Sequence, residues 1–197
     1  MTADAALLPP RDRAAEAPPP GSPPEPAVLN LRVHAISYLA ETIRAFELRS
    51  PEGTPLPGFT AGAHIDLALP GDLSRSYSLI NRSGDGERYV IAVNRDAASR
   101  GGSAFLCETL RVGDRLKVSA PRNTFPLAER APKSVFIAGG IGITPILAMI
   151  ERLEELGRDW QLHYAVRERR YGAFLDRFAA LERLAPGRVH IHVDAEA

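Results

Sequence analysis

The chain has 197 residues, which allows one large domain or two small ones and excludes three. Hydrophobic residues make up 45% and charged residues 24%, so a core can form, and wholesale disorder and fibrous classes are excluded. Lysine plus arginine and aspartate plus glutamate are each 24, so net charge is zero and no overall basic field exists to hold a nucleic acid. In chain order, the first element is a tail over 1–26, rich in proline and alanine, which reads as disordered or partly polyproline-like. Its opening, MTADAALLPP, has an acidic start and an apolar run too short for a secretory signal.

Residues 27–129 carry short β-rich runs separated by Gly, Pro and Asp: VLNLRVHAISYL, TIRAFELRS, HIDLAL, SRSYSLIN, RYVIAVNR and DRLKVSA. This spacing predicts an antiparallel β sandwich or barrel, interrupted by a short helix over 102–110. Residues 130–197 change to alternating strand and helix. SVFIAGG is a continuous apolar run of the kind found in buried parallel strands. A helix should follow from Thr144, its hydroxyl capping the end, with Pro145 at the first helical position and Gly157 just beyond the last turn. Ile146, Ile150 and Leu153 form its apolar face. WQLHYAVRE then reads as a strand, 171–184 as a helix and RVHIHVD as a strand. The order β-α-β-α-β predicts the mononucleotide-binding half of a doubly wound parallel sheet, here only part of an α/β domain.

The longest mostly apolar stretch, 138–150, falls below the roughly 18 residues of a membrane span and contains Gly, Thr and Pro, so no membrane segment is expected. The single cysteine, Cys107, cannot make an internal disulfide, a thiolate zinc site or a cysteine-ligated iron-sulfur cluster. A reducing, cytoplasmic setting is the expectation, with Cys107 structural rather than nucleophilic. His190 and His192 share one face of a strand. With no third ligand apparent, a wet strand face explains them more simply than a metal.

Two constellations carry chemistry. In Arg75-Ser76-Tyr77-Ser78-Leu79, alternation sends Arg75, Tyr77 and Leu79 one way and the serines the other. An aromatic ring, hydroxyls and backbone amides along one strand suit a planar heterocycle. Arg100-Gly101-Gly102-Ser103 opens a helix with free N–H groups and a hydroxyl, which suits a phosphate, although an ordinary helix cap has the same composition. The second constellation, Ala138-Gly139-Gly140-Ile141-Gly142-Ile143-Thr144-Pro145, is a glycine-rich strand-to-helix turn where a pyrophosphate can approach the backbone; a ligand-free tight turn is the alternative.

The motifs RSYSLIN, AVNR, RGGS, PRNTFPL and AGGIGITP occur in the order and at about the spacing of the ferredoxin-reductase-like flavoproteins. More closely, residues 28–197 resemble the phthalate dioxygenase reductase and vanillate demethylase reductase group. That resemblance implies a flavin-binding barrel followed by an NAD(P) domain, and an oxidoreductase that takes hydride from NADH or NADPH onto a bound flavin. It implies FMN rather than FAD, with Arg75 and the turn Arg100, Gly101, Gly102, Ser103 on the phosphate. Tyr77 would pack on the isoalloxazine, Ser78 would lie near its reactive nitrogen, and backbone groups of Ala92, Val93 and Asn94 would meet the pyrimidine edge. Gly139, Gly140, Gly142 and Thr144 would line the pyrophosphate and nicotinamide side. At the end of the second parallel strand, Glu168 could accept from a ribose 2′-OH, whereas Arg167, Arg169 or Arg170 could meet a 2′-phosphate; the resemblance favours NADH.

The group's members also carry a Cys-Gly-Pro turn and a plant-type 2Fe-2S domain, neither of which is in this sequence. The expectation is therefore a truncated reductase that depends on a separate iron-sulfur protein or oxygenase component of the Rieske type. The first parallel strand is then expected as an unpaired apolar edge. The alternatives are a non-catalytic flavin- or partner-binding remnant and a free flavin reductase.

Overall fold

In the first half of the chain, apolar residues alternate with polar ones at a period of two, and each such run forms a strand with one face in a core. The computed structural model describes residues 27–196, so the tail expected over 1–26 lies outside the described residues. Six antiparallel strands come first: β1 (Val28–Ala40), β2 (Ile43–Arg49), β3 (His64–Leu69), β4 (Leu73–Ser78), β5 (Arg88–Asn94) and β6 (Arg115–Ser119). β1 is long enough to serve two neighbours, pairing with β6 through Val28–Arg32 and with β2 from Arg32 to Ala40, with register shifts that bend it around the core. Leu31, Val33, Phe46, Leu48, Ile65, Leu67, Tyr89 and Ile91 fill the interior.

Pairing runs in the order β4-β3-β6-β1-β2-β5, so the barrel is not a closed ladder. The outer strands β4 and β5 meet through an isolated bridge, Leu79 to Ile91. Beside it, the Asn81 side chain substitutes for a strand: its Oδ1 accepts from the Val90 N–H at 2.9 Å and its Nδ2 donates to the Arg88 carbonyl at 3.0 Å. The strand read through Asn81 therefore ends at Ser78, because a side chain takes over the pairing.

The helix expected over 102–110 is one α-helical turn, α1 (Gly102–Ala104), followed by a π-helical turn over Phe105–Thr109, closed by Leu110 N–H to the Phe105 carbonyl at 3.0 Å. The extra residue sets Leu106, Cys107 and Leu110 into the barrel core.

The second unit is a parallel sheet, β7 (Lys133–Gly139), β8 (Asp159–Val166) and β9 (Val189–Val193), in the order β7-β8-β9. α2 (Thr144–Glu155) and α3 (Leu175–Leu184) connect them. β7 is indeed an edge among the described residues, but it is not buried on both faces: Phe136 packs inward with Ala138, while Val135 is 56% and Ile137 81% exposed. The open face continues through His163, stacked on His190 at 4.6 Å and on His192 at 5.5 Å. Among the described residues no group of three or more His, Cys, Asp or Glu side chains could hold a metal, and no helix is long and apolar enough to cross a membrane.

Two helix starts differ from expectation. A 3-10 turn over Gly140–Ile143 runs directly into α2, so Ile143 takes the capping position. The Thr144 hydroxyl does not cap; it donates back to the Ile141 carbonyl at 2.9 Å. α3 begins at Leu175 rather than 171, because Phe174 adopts a left-handed backbone (φ 64°) that interrupts the helix. At the other end of α2, Gly157 (φ +60°) terminates the helix as the sequence indicates.

A second core joins the units. Ala40, Ile43, Ile80 and Ala92 of the barrel pack with Ile143, Ile146, Leu147, Trp160, Leu162 and Tyr164 of the parallel domain. Arg82 pairs with Glu155 across the same boundary, and the Glu41 N–H donates to the Arg170 carbonyl at 2.9 Å.

Burial pushes the phenols of Tyr89 and Tyr164 up to about 12. Tyrosines of an unfolded chain ionise near ~10, so between about pH 10 and 12 the unfolded state releases these protons first and stability falls as pH rises. Absorbance titration should find these two phenols un-ionised in the folded chain at pH 11, with the urea midpoint dropping from pH 10 upward. All phenols ionising together near pH 10 without unfolding would contradict this.

Candidate functional site

The gap between β4 and β5 is where the barrel meets the start of α2, and a cavity of about 440 Å³ opens there. Its walls are Arg75, Ser76, Tyr77 and Ser78 of β4, Ala92 and Asn94 of β5, the turn through Asp96 to Ser103, and Ile141 with Thr144. Tyr77 lies half-buried against the barrel core, and burial raises its phenol, with the nearby Cys107 adding to the shift and Arg75 opposing it. Arg75 lies over the start of α1. A Cβ on Gly102 would stand 2.9 Å from the Arg75 Cγ, so only glycine leaves room for this side chain. Gly101 turns the chain with φ +99°. The Ser103 Oγ accepts from the Asp96 N–H at 3.3 Å, tying the turn to the end of β5.

A second cavity of about 860 Å³ adjoins the first, and Asn94, Asp96 and Ile141 line both. One side is Thr42, Ile43 and Arg95 of the barrel. The other follows the carboxyl ends of the parallel strands: Gly139 and Gly140 at the end of β7, Ala165 to Glu168 at the end of β8, and Asp194 after β9. The Thr42 hydroxyl bonds Asn94 Oδ1 at 2.7 Å and fixes the residue at the junction. A third recess of about 320 Å³, lined by Gly62, His64, Ser76, Ser78, Thr124, Phe125 and Pro145, flanks β4 on its far side.

Most of the residues singled out from sequence thus converge. Arg75, Tyr77, Ser78, Ala92, Asn94, Arg100, Ser103 and Thr144 line the first cavity, and Gly139, Gly140, Arg167 and Glu168 the second. Four do not line either cavity by their own surface. Val93 is 1% exposed inside the barrel core. Gly101 and Gly102 shape the turn from beneath. Gly142 also stands apart, exposed on the 3-10 turn. Cys107 is buried in the π-helical turn and burial raises its thiol, which suits a structural role.

Sequence reasoning missed Thr42, Asp96, Tyr171 and Asp194. Asp194 carried a usable signal: it follows a predicted parallel strand, and ligands of doubly wound sheets sit at the carboxyl ends of the strands. Thr42 carried none, since its place depends on how the two units dock.

No protein-family model matches the chain. Individual proteins match strongly. Tetrachlorobenzoquinone reductase of Sphingobium chlorophenolicum is 50% identical over 171 residues, 87% of this chain and 53% of that protein. Phthalate dioxygenase reductase of Burkholderia cepacia is 42% identical over 170 residues, 86% of this chain and 53% of that protein. A solved structure of phthalate dioxygenase reductase, described as modular for electron transfer from pyridine nucleotides to [2Fe-2S], superposes with a TM-score of 0.80 at 42% identity, again covering 86% of this chain and 53% of that one. The chain is a homologue of the phthalate dioxygenase reductase group. It spans about half the length of the curated relatives it matches. The antiparallel sheet followed by a parallel one is the ferredoxin-reductase-like arrangement of this group.

One contact that shapes the recess beside β4 is directly testable. Gly62 has φ +94°, and a Cβ there would stand 2.0 Å from the Phe125 carbonyl oxygen. Gly62→Ala should therefore cost about 3 kcal/mol, because strain and a backbone clash act together. Urea denaturation reads the loss; an unchanged midpoint would contradict the packing described.

Proposed function

We propose that this chain is the flavin and nucleotide core of an NAD(P)H-dependent oxidoreductase, the reductase component of an oxygenase system. The observation that carries this reading is the junction of the two cavities. A strand bearing Arg75, Tyr77 and Ser78 and a loop bearing Gly139 and Gly140 open into one space through Asn94, Asp96 and Ile141. Two cofactors held in adjoining clefts meet at that junction, and proximity is the main requirement of hydride transfer. The flavin, when bound, accepts hydride from the nicotinamide and passes electrons on singly, so the chemistry belongs to the cofactors.

The residues fit such a group. A 440 Å³ cavity lies within the roughly 300–1,000 Å³ of small-molecule sites. Arg75, Arg100 and Ser103 all line this cavity, a donor set that suits a phosphate, and we assign FMN rather than FAD on that basis. Tyr77 offers a ring and Ser78 a hydroxyl beside the isoalloxazine. The Thr144 hydroxyl donates its hydrogen bond to the Ile141 carbonyl, so toward the cleft its oxygen accepts, which suits a nicotinamide carboxamide N–H. The electron acceptor we propose is a 2Fe-2S centre serving a Rieske-type oxygenase. These 197 residues hold one cysteine, the buried Cys107, and do not by themselves supply the four cysteine ligands of such a centre. A cytoplasmic location accords with such a partner.

The purified chain should bind FMN, and anaerobic NADH should bleach it; flavin that stays oxidised would overturn the reductase reading. Arg75→Ala should weaken FMN about tenfold to a hundredfold, the loss of a charge-assisted hydrogen bond, in a fluorescence titration. Equal retention by variant and parent would remove Arg75 from the phosphate site, and tighter retention of FAD than FMN would reverse the choice of flavin.

A further inference from the structure

The outer face of the antiparallel sheet carries a row of like charges that the cofactor clefts do not use. Register places Arg115 of β6 directly opposite Arg32 of β1, Arg32 opposite Arg49 of β2, and Arg49 opposite Arg88 of β5. Their chain neighbours Leu116, Leu31, Leu48 and Tyr89 fill the core, so alternation turns all four arginines outward. Adjacent strands lie about 4.8 Å apart, so the four side chains stand across roughly 14 Å of one sheet face. Lys117 extends the positive surface along β6, opposite Asn30. Like charges directly opposed across strands destabilise a sheet, so the row is a cost to the fold.

The row is compensated at one end only. Glu47 pairs with Arg49 at 2.6 Å and with Arg88 at 3.0 Å, and Asp85 pairs with Arg88 at 2.9 Å. Arg32 donates to the Pro51 carbonyl at 3.0 Å, and among the described residues Arg32, Arg115 and Lys117 have no carboxylate within ion-pair distance. The row also lies away from the clefts. Arg49 closes β2 and Arg88 opens β5, whereas Ile43 and Asn94, which line the larger cavity, stand at the other ends of those strands. Along β5 the separation from Arg88 to Asn94 is about 20 Å at the rise of a strand, so a ligand on the row leaves both cavities open.

We propose that Arg32, Arg115 and Lys117 form a docking surface for a carboxylate-rich segment of a partner protein. Charge complementarity decides the occupant. Glu47, Asp85 and the 83% exposed Glu87 border the row at its β5 end, so a uniformly anionic plane such as a lipid surface meets repulsion along it. Discrete carboxylates on a polypeptide address the free end alone. A guanidinium holds a carboxylate through two parallel hydrogen bonds, and neighbouring strands set Arg32 and Arg115 within reach of successive acidic side chains of one segment. The opposed arginines thus exchange a cost in the free chain for affinity in the complex.

The test uses the 197-residue chain and a fluorescein-labelled oligoglutamate peptide, read by fluorescence anisotropy. The parent should bind the peptide, with affinity falling as salt is raised. Arg32→Thr together with Arg115→Thr should weaken binding about tenfold. Arg130→Thr together with Arg158→Thr, which removes the same charge from exposed positions elsewhere, should leave it unchanged. Arg115→Thr alone should hold or raise the urea midpoint, since it relieves an opposed like charge. Equal affinity in the parent and the Arg32, Arg115 variant overturns the proposal, and equal losses in the two double variants reduce the surface to net charge and overturn it too. A urea midpoint lowered by Arg115→Thr gives the row to the fold instead of a partner, and binding of phosphatidylglycerol vesicles in place of the peptide gives it to a membrane; either outcome sinks the proposal. Bleaching of flavin by NADH is read separately, so the reductase reading stands or falls on its own.

Discussion

Everything that makes a site of this chain depends on one apolar seam. Ile43, Ile80 and Ala92 stand on the outside of the antiparallel sheet, where exposed they would each be a liability, and Ile143, Ile146 and Leu147 of the α2 start cover them. Burying such side chains is worth roughly 1.5–3 kcal/mol apiece, enough to hold two units in one relation without help from a linker. Ala61 with Ala148 and Met149 extends the seam toward the turn carrying Phe125. The polar bonds across the boundary, Arg82 to Glu155 and Glu41 to Arg170, lie at its rim and set orientation rather than strength. Ala92 belongs to the seam and to the first cavity at once, and Ile141 and Thr144, on either side of Ile143, line the same cavity. Docking and site formation are thus one event.

The site also needs the sheet to be incomplete. A closed antiparallel barrel would pair β4 with β5 along their length and use up the backbone groups facing between them. Here pairing stops after the Leu79 to Ile91 bridge, and the Asn81 side chain seals one end of the gap. Beyond it, Ser76 to Ser78 and Ala92 to Asn94 diverge around a cavity. The π-helical turn serves the same end from below: it draws Cys107 into the core beside Tyr77 and leaves the Arg100 to Ser103 turn free at the cavity mouth.

What was legible in the sequence was whatever depends on period and local turn chemistry. All nine strands were placed from alternation or apolar runs, and Gly157 ended α2 as its position indicates. What escaped depends on neighbours distant in sequence. Thr144 has the composition of a cap, yet the 3-10 turn before it leaves no extended residue from which a hydroxyl could reach back. SVFIAGG reads as doubly buried, but burial of its second face requires something packed there, and apolarity alone does not say what. Val93 sits between two cavity residues with its side chain in the core, since Ala92 and Asn94 share one side and Val93 the other; the expectation for it concerned backbone groups, which side-chain alternation does not address.

Charge shows the same division between sum and arrangement. A net charge of zero argues against a polyanion partner, and the many arginine pairs across the surface explain how that sum is reached: Arg88 with Asp85 and Glu47, Arg152 with Glu129, Arg177 with Glu151, Arg188 with Glu154. Of the four arginines that line the two large cavities, Arg95 is paired with Glu108, and Arg75, Arg100 and Arg167 have no carboxylate within ion-pair distance among the described residues. Pairing elsewhere is what makes these three effective. In a field cancelled over most of the molecule, an unpaired guanidinium in a cleft is the strongest local attraction an anionic cofactor meets. Neutrality therefore excludes one class of ligand and, by the same pairings, sharpens the recognition of another.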